Sequence, residues 1–161
     1  MKNVDIEIRK MEVYNEVAKT TGYTGAKMDG DANAYNRIFT TDADREMLER
    51  FWVECCNDAT TEFKPFLLSV SGQEVGSGVK LDKNYTVKLE LSESFDEALV
   101  PAMTTALFSY FVNAIASKWY EITNKAESDK YAANALGQMT GVKEKLYYRK
   151  KPKRRIPVDN L

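Results

Sequence analysis

Histidine is absent from this 161-residue chain. That removes the usual general base near neutral pH, the commonest metal ligand and the common catalytic triads. Cysteine occurs only as the neighbours Cys55 and Cys56. Adjacent cysteines are too constrained for an ordinary structural bridge, and a nucleophilic cysteine normally needs a histidine beside it, so both are read as reduced thiols packing in a helix. No apolar run approaches the ~20 residues of a membrane span. The opening "MKNVDIEIRK" lacks the apolar stretch of a secretory signal, so a cytoplasmic setting is expected.

The glycines carry little chemistry. "GSG" at 76–78 lacks the following Lys-Ser/Thr and helix of a phosphate-binding loop, and reads as a turn. "DGDAN" (Asp29, Asp31, Asn33) is similar to the start of a calcium loop, but Ala34 and Thr40 stand where that loop needs Gly and Glu. "GQMTG" at 137–141 has a small-xxx-small spacing in a polar segment, which points to close helix packing rather than membrane dimerisation. Glu93, Asp96 and Glu97 are read as charge at a helix N-terminus, not as a catalytic carboxylate pair. The expectation is a protein with no catalytic residues, cofactor or metal.

What the chain does have is an uneven charge. Its net charge is −1. Residues 143–155 hold eight basic residues and one acid, a net +7, while the remainder holds 15 basic and 23 acidic residues, a net −8. Such asymmetry speaks of partners rather than of fold.

The rest reads as mainly α: a bundle of about four helices with a small β-hairpin insertion and an extended basic C-terminal tail. Residues 4–19 follow a helical period through Ile8, Met11, Val13, Tyr14 and Val17, although "VDIEI" also alternates as a strand would. "TTGYTGAKMDGDANAYNR" reads as a polar loop. A helix over about 42–61 is capped by Thr41, with Asp42 and Asp44 in its first turn, and carries Met47, Leu48, Phe51, Trp52 and Cys55 on one face. "KPFLLSVSG" and "NYTVKLELSES" read as two strands; Tyr85, Val87, Leu89 and Leu91 alternate with polar residues. Ser94 and Glu97 fit a capping box. Pro101 then either opens a new helix or kinks one. Beyond it Met103, Leu107, Tyr110, Phe111, Ala114, Ile115, Trp119 and Ile122 line the central helix. Phe51, Trp52, Trp119 and Tyr120 are read as core, with one or two at an interface. A last helix over about 126–148 uses Tyr131, Ala135, Met139, Val142 and Leu146, and Pro152 and Pro157 keep the chain beyond it extended. One domain over 1–148 is expected, with the hairpin insert at about 64–92 and an arm over 149–161.

The arm, "KLYYRKKPKRRIP", supports three readings. It is a solvated charge run, a phosphate-binding segment with "KKPKRR" resembling a nuclear import signal, or a proline-stiffened strap that docks on protein. An acidic body favours the strap, since a second copy of the chain offers the opposite charge. Head-to-tail pairing of unlike surfaces makes a ring if it closes.

The order of parts, "TTDADREMLERFWVECCNDAT", a hairpin-like insert, "SFDEALVPAMTTALFSYFVNAIASKWYEITN" and a last helix ending "VKEKLYYRKKPKRRIP", resembles the head–tail connector (adaptor) proteins of tailed bacteriophages over about residues 40–160. The resemblance implies a non-enzymatic virion protein, assembled in the bacterial cytoplasm. It would form a homo-oligomeric ring in the neck, between the portal and the tail, helping to retain or pass the genome. It implies that the arm reaches the portal or a neighbouring subunit, with Tyr147, Tyr148, Arg149, Lys150, Lys151, Lys153, Arg154, Arg155 and Ile156 as partner-binding residues. Tyr147 and Tyr148 are expected to anchor it by burial, and loop 72–83 to face a neighbour or the lumen. The hairpin insert is longer than in the simplest connectors, which leaves another neck or tail-completion ring open. DNA in the channel is a further contact, and a nucleic-acid-binding accessory protein is the alternative. No membrane partner is expected. Deleting 149–161 is expected to leave the helical body folded but to impair ring or portal assembly.

Overall fold

The computed structural model describes residues 1–28, 30–73 and 79–154. The chain is mainly helical, with a three-stranded antiparallel sheet. Its elements are β1 (Lys2–Ile8), α1 (Lys10–Ala26), a short α2 (Ala34–Ile38), α3 (Arg45–Phe63), β2 (Leu67–Ser71), β3 (Tyr85–Leu91), α4 (Val100–Thr123) and α5 (Lys125–Tyr147). Single 3-10 turns at Asp42–Asp44, Lys64–Phe66 and Glu97–Leu99 lead into α3, β2 and α4.

The expected two-strand hairpin is incomplete by itself, and the N-terminus completes it. "VDIEI" is a strand, not the first turn of a helix: β1 pairs antiparallel with β3, so β3 is central in the order β1-β3-β2. Strict alternation decides this. Val4, Ile6 and Ile8 face inward opposite Leu89, Val87 and Tyr85, all buried, while Asp5 and Glu7 face solvent opposite Lys88 and Thr86. A helix would have scattered those apolar residues around its circumference. β2 is an irregular edge, and its register shift between Leu67 and Ser69 leaves Leu68 exposed.

The glycine-bearing segment read as a polar loop is also partly helical. α1 runs on through "TTGYTGA" to Ala26, and α2 forms beyond it. The glycines lie where α1 meets α2: a Cβ on Gly25 would sit 2.7 Å from the Tyr35 Cα, and one on Gly22 2.9 Å from the Phe39 ring. They permit close approach rather than a turn. By contrast, "GQMTG" is not a packing motif. A Cβ on Gly137 would meet nothing within 4 Å, and one on Gly141 only the Lys145 ammonium at 3.7 Å.

α4 is the hub, with β1, α1, α3 and α5 packed on it. Pro101 sits in its first turn, so the helix opens there without a kink. The expected N-cap shifts: Asp96, not Ser94, accepts the Ala98 N–H. Helical stretch Glu97–Thr123 has a mean hydropathy of 1.5 in its most apolar window, long and apolar enough to cross a membrane. The expectation that no segment approaches that length therefore fails for this helix. Met103, Leu107, Tyr110, Phe111, Ile115, Trp119 and Tyr120 spend its apolar side on the core, but Ile122 is exposed. Met11 and Met47, also expected inside, are exposed as well. Phe51, Trp52, Trp119 and Tyr120 are all buried. Each such ring withdrawn from water contributes about 1.5–3 kcal/mol before entropic costs.

Candidate functional site

The tail is clasped by its own chain where it leaves α5. Arg149 donates to the Leu146 carbonyl at 2.8 Å and the Tyr148 carbonyl at 3.0 Å, satisfying acceptors that the helix end exposes. The Lys150 backbone N–H donates to the Ser94 carbonyl at 2.9 Å, and its ammonium lies 3.2 Å from the Asp96 carboxylate. Asp96 is held below the usual carboxylate range, first by the Ala98 N–H and then by Lys150. The tail therefore starts at the corner between β3 and α4.

The nine expected partner-binding residues thus divide. Arg149 and Lys150 hold the clasp. Lys151, Lys153 and Arg154 are exposed, and no ion pair among the described residues uses them. Tyr147 and Tyr148 are not buried in this chain, at 58% and 52% exposed; the Tyr147 ring meets only the edge of Phe66, at 5.2 Å between centroids. The last turn of α5 points them outward, because Val142 and Leu146 take the inward positions. Arg155 and Ile156 lie outside the described residues, as do residues 76–78.

A second apolar surface went unread in the sequence. Met47 on α3 and Ile122 on α4, 41% and 61% exposed, line one open groove with Ala43, Asp44, Glu46 and Trp119. Local chemistry explains why it exists. Thr41 and Asp44 form a capping box, which fixes the start of α3. Trp119 donates its indole N–H to the Ile38 carbonyl at 2.6 Å, and Arg37 donates to the Thr123 carbonyl at 3.3 Å, which pins α2 to the end of α4. Met47 and Ile122 remain exposed between the start of α3 and the end of α4. The groove is acid-rimmed: Arg50 also lines it, but lies 3.3 Å from Glu54.

The buried polar chemistry is structural in form. Lys10 is 2% exposed, with its ammonium 2.6 Å from Glu49, 3.3 Å from the Lys80 carbonyl and over the Trp52 ring. Tyr14 donates to the other Glu49 oxygen at 2.6 Å, and burial followed by that carboxylate raises its pKa. This network ties α1, α3 and the hairpin together. The sequence marks Lys10 as an ordinary surface lysine, so nothing signals its burial. Both cysteines are buried, and burial pushes the Cys55 thiol up to about 12 and raises Cys56 too. Neither is poised as a thiolate. In "DGDAN", the Asp31 carboxylate is occupied by Arg37 at 2.7 Å and by the Asn33 N–H, while Asp29 lies outside the described residues.

No protein-family model, curated protein or solved structure matches the chain.

Proposed function

We propose that this chain is a non-enzymatic structural protein that works by assembling with copies of itself and with a partner complex. Within that class the reading is a ring-forming head–tail connector of a phage neck, between portal and tail, acting in the virion after assembly in the bacterial cytoplasm. One observation carries it. The +7 segment at 143–155 belongs to a chain whose other residues total −8, and its outer residues Lys151, Lys153 and Arg154 form no ion pair among the described residues. A subunit with opposite charge on tail and body is complementary to its own copies in a head-to-tail sense. The particular family rests on the resemblance of layout.

The test is sedimentation of the purified chain, alone and with portal assemblies. Oligomers, or capture by the portal, are expected. Removing 151–161 is expected to abolish both while leaving the helical circular dichroism intact, because the clasp at Lys150 is retained. A chain that stays monomeric and ignores portal assemblies refutes the reading. The exposed tail cations also suit phosphate. A salt-dependent affinity for duplex DNA lost on the same truncation would favour a nucleic-acid accessory role instead.

A further inference from the structure

We propose that the groove between the start of α3 and the end of α4 receives the basic C-terminal segment of a second copy of this chain. The inference rests on the self-assembly reading above and names the receiving site.

Three observations converge. The groove is lined by the apolar side chains of Met47, Ile122 and Trp119 and by two carboxylates, Asp44 and Glu46, while its one cation among the described residues, Arg50, is paired with Glu54 at 3.3 Å. Asp42 adjoins that rim in sequence but is paired with Arg45 at 2.9 Å, so the rim's charge rests on Asp44 and Glu46. The tail has the converse pattern. Arg154 and Arg155 precede Ile156, the first large aliphatic residue after Leu146. An isoleucine preceded by two arginines fits an apolar floor with a carboxylate rim, the apolar contact giving anchorage and the charges choosing the surface.

Reach decides which copy supplies the tail. The Lys150 backbone is fixed at Ser94, beside the beginning of α4. The groove lies at Trp119 and Ile122, near that helix's other end. At 1.5 Å per residue, Val100 and Ile122 are about 33 Å apart. From Lys150 to Ile156 the chain extends at most about 22 Å. Ile156 therefore cannot enter its own groove, and the contact is between copies. Tail and groove are different surfaces at opposite ends of α4, so the contact is heterologous, the kind that closes into rings or continues as a filament.

The experiment is disulfide trapping in full-length chains. The native cysteines are buried and do not compete. Chains carrying Ile156→Cys are mixed with chains carrying Met47→Cys, or with chains carrying Met11→Cys, an exposed methionine on α1 away from the groove. The Met47→Cys mixture is expected to give the heterodimer at least about tenfold faster, because docking holds the two thiols at an effective concentration near millimolar. High salt is expected to narrow that ratio. The double variant Met47→Cys/Ile156→Cys is expected to link between chains and not within one. Equal rates for the two mixtures, or an internally linked monomer, overturn the proposal. An unsubstituted chain that forms rings while trapping fails overturns this docking site alone. Trapping that succeeds in a chain indifferent to portal assemblies leaves the docking site standing and removes the connector reading.

Discussion

Gly25→Ala and Gly137→Ala are the same substitution within helices, one in the last turn of α1 and the other in the middle of α5, and the structure gives them opposite signs. At Gly137 alanine gains about 1 kcal/mol of helix propensity over glycine, and at Gly25, beside the helix end, it gains less. At Gly137 nothing lies within 4 Å of the new methyl, so the gain is kept. At Gly25 the methyl would sit 2.7 Å from the Tyr35 Cα and 3.2 Å from the Ala34 carbonyl oxygen and the Tyr35 nitrogen. These are backbone atoms, and no rotamer change relieves them. α1 and α2 must separate, at an overpacking cost of about 1–3 kcal/mol or more. Separation also loosens α2, which the Trp119 and Arg37 hydrogen bonds attach to the end of α4. Gly25→Ala is therefore expected to lose about 1–2 kcal/mol net, and Gly137→Ala to gain about 1. For a chain of this size, that places their Tm values about 4–12 °C apart. Gly22→Ala falls between them, because the obstructing Phe39 ring can turn aside. Thermal unfolding followed by circular dichroism, with urea titrations for the free energies, reads all three. If Gly25→Ala is stabilised as much as Gly137→Ala, the close approach of α1 and α2 is wrong.

Glu49→Ala strands the Lys10 ammonium in the interior with one carbonyl and a ring face, and is expected to cost about 3 kcal/mol in urea unfolding. The cysteines should resist a thiol reagent at pH 8 in the native state and react at the rate of unfolding, which a denaturant series measures. Stability should fall steeply in alkali. Cys55, Cys56, Tyr85, Tyr110 and Tyr120 have folded pKa values raised by burial above the ordinary 9.0 of a thiol and 10.0 of a phenol. Their contribution is complete below pH 9 and is lost as pH rises toward the folded values, because only the unfolded chain ionises there. The carboxylates held low, Asp31, Glu54, Glu93 and Asp96, are all at least partly open to solvent, which weakens their contribution, and they lose it only as pH drops below about 4. A Tm–pH curve should therefore be shallow on the acid side and steep above pH 9.

Local pattern in the sequence determined the elements with strong periodicity. The α3 face of Leu48, Phe51, Trp52 and Cys55, the alternation in β3, and the α5 steps Ala135, Met139, Val142 and Leu146 all fix which side is buried, because a helix or strand repeats its faces at a set interval. Charge asymmetry was legible too, since it needs no coordinates. Tertiary structure alone decided the rest. "VDIEI" satisfies a strand or a helix until β3 is present to pair with it. Glycines at 22 and 25 look like loop and those at 137 and 141 like packing until the neighbouring helix is placed; its position reverses both readings. Lys10 is buried only because Glu49 arrives from another helix 39 residues away. Met47 and Ile122 belong to apolar stripes by spacing, yet both stay exposed and line a groove. That groove, and the clasp of Lys150 on Ser94 and Asp96, are made by residues distant in sequence. The chain records the tail's charge, but only the fold shows which end of the molecule it leaves and how far it can reach.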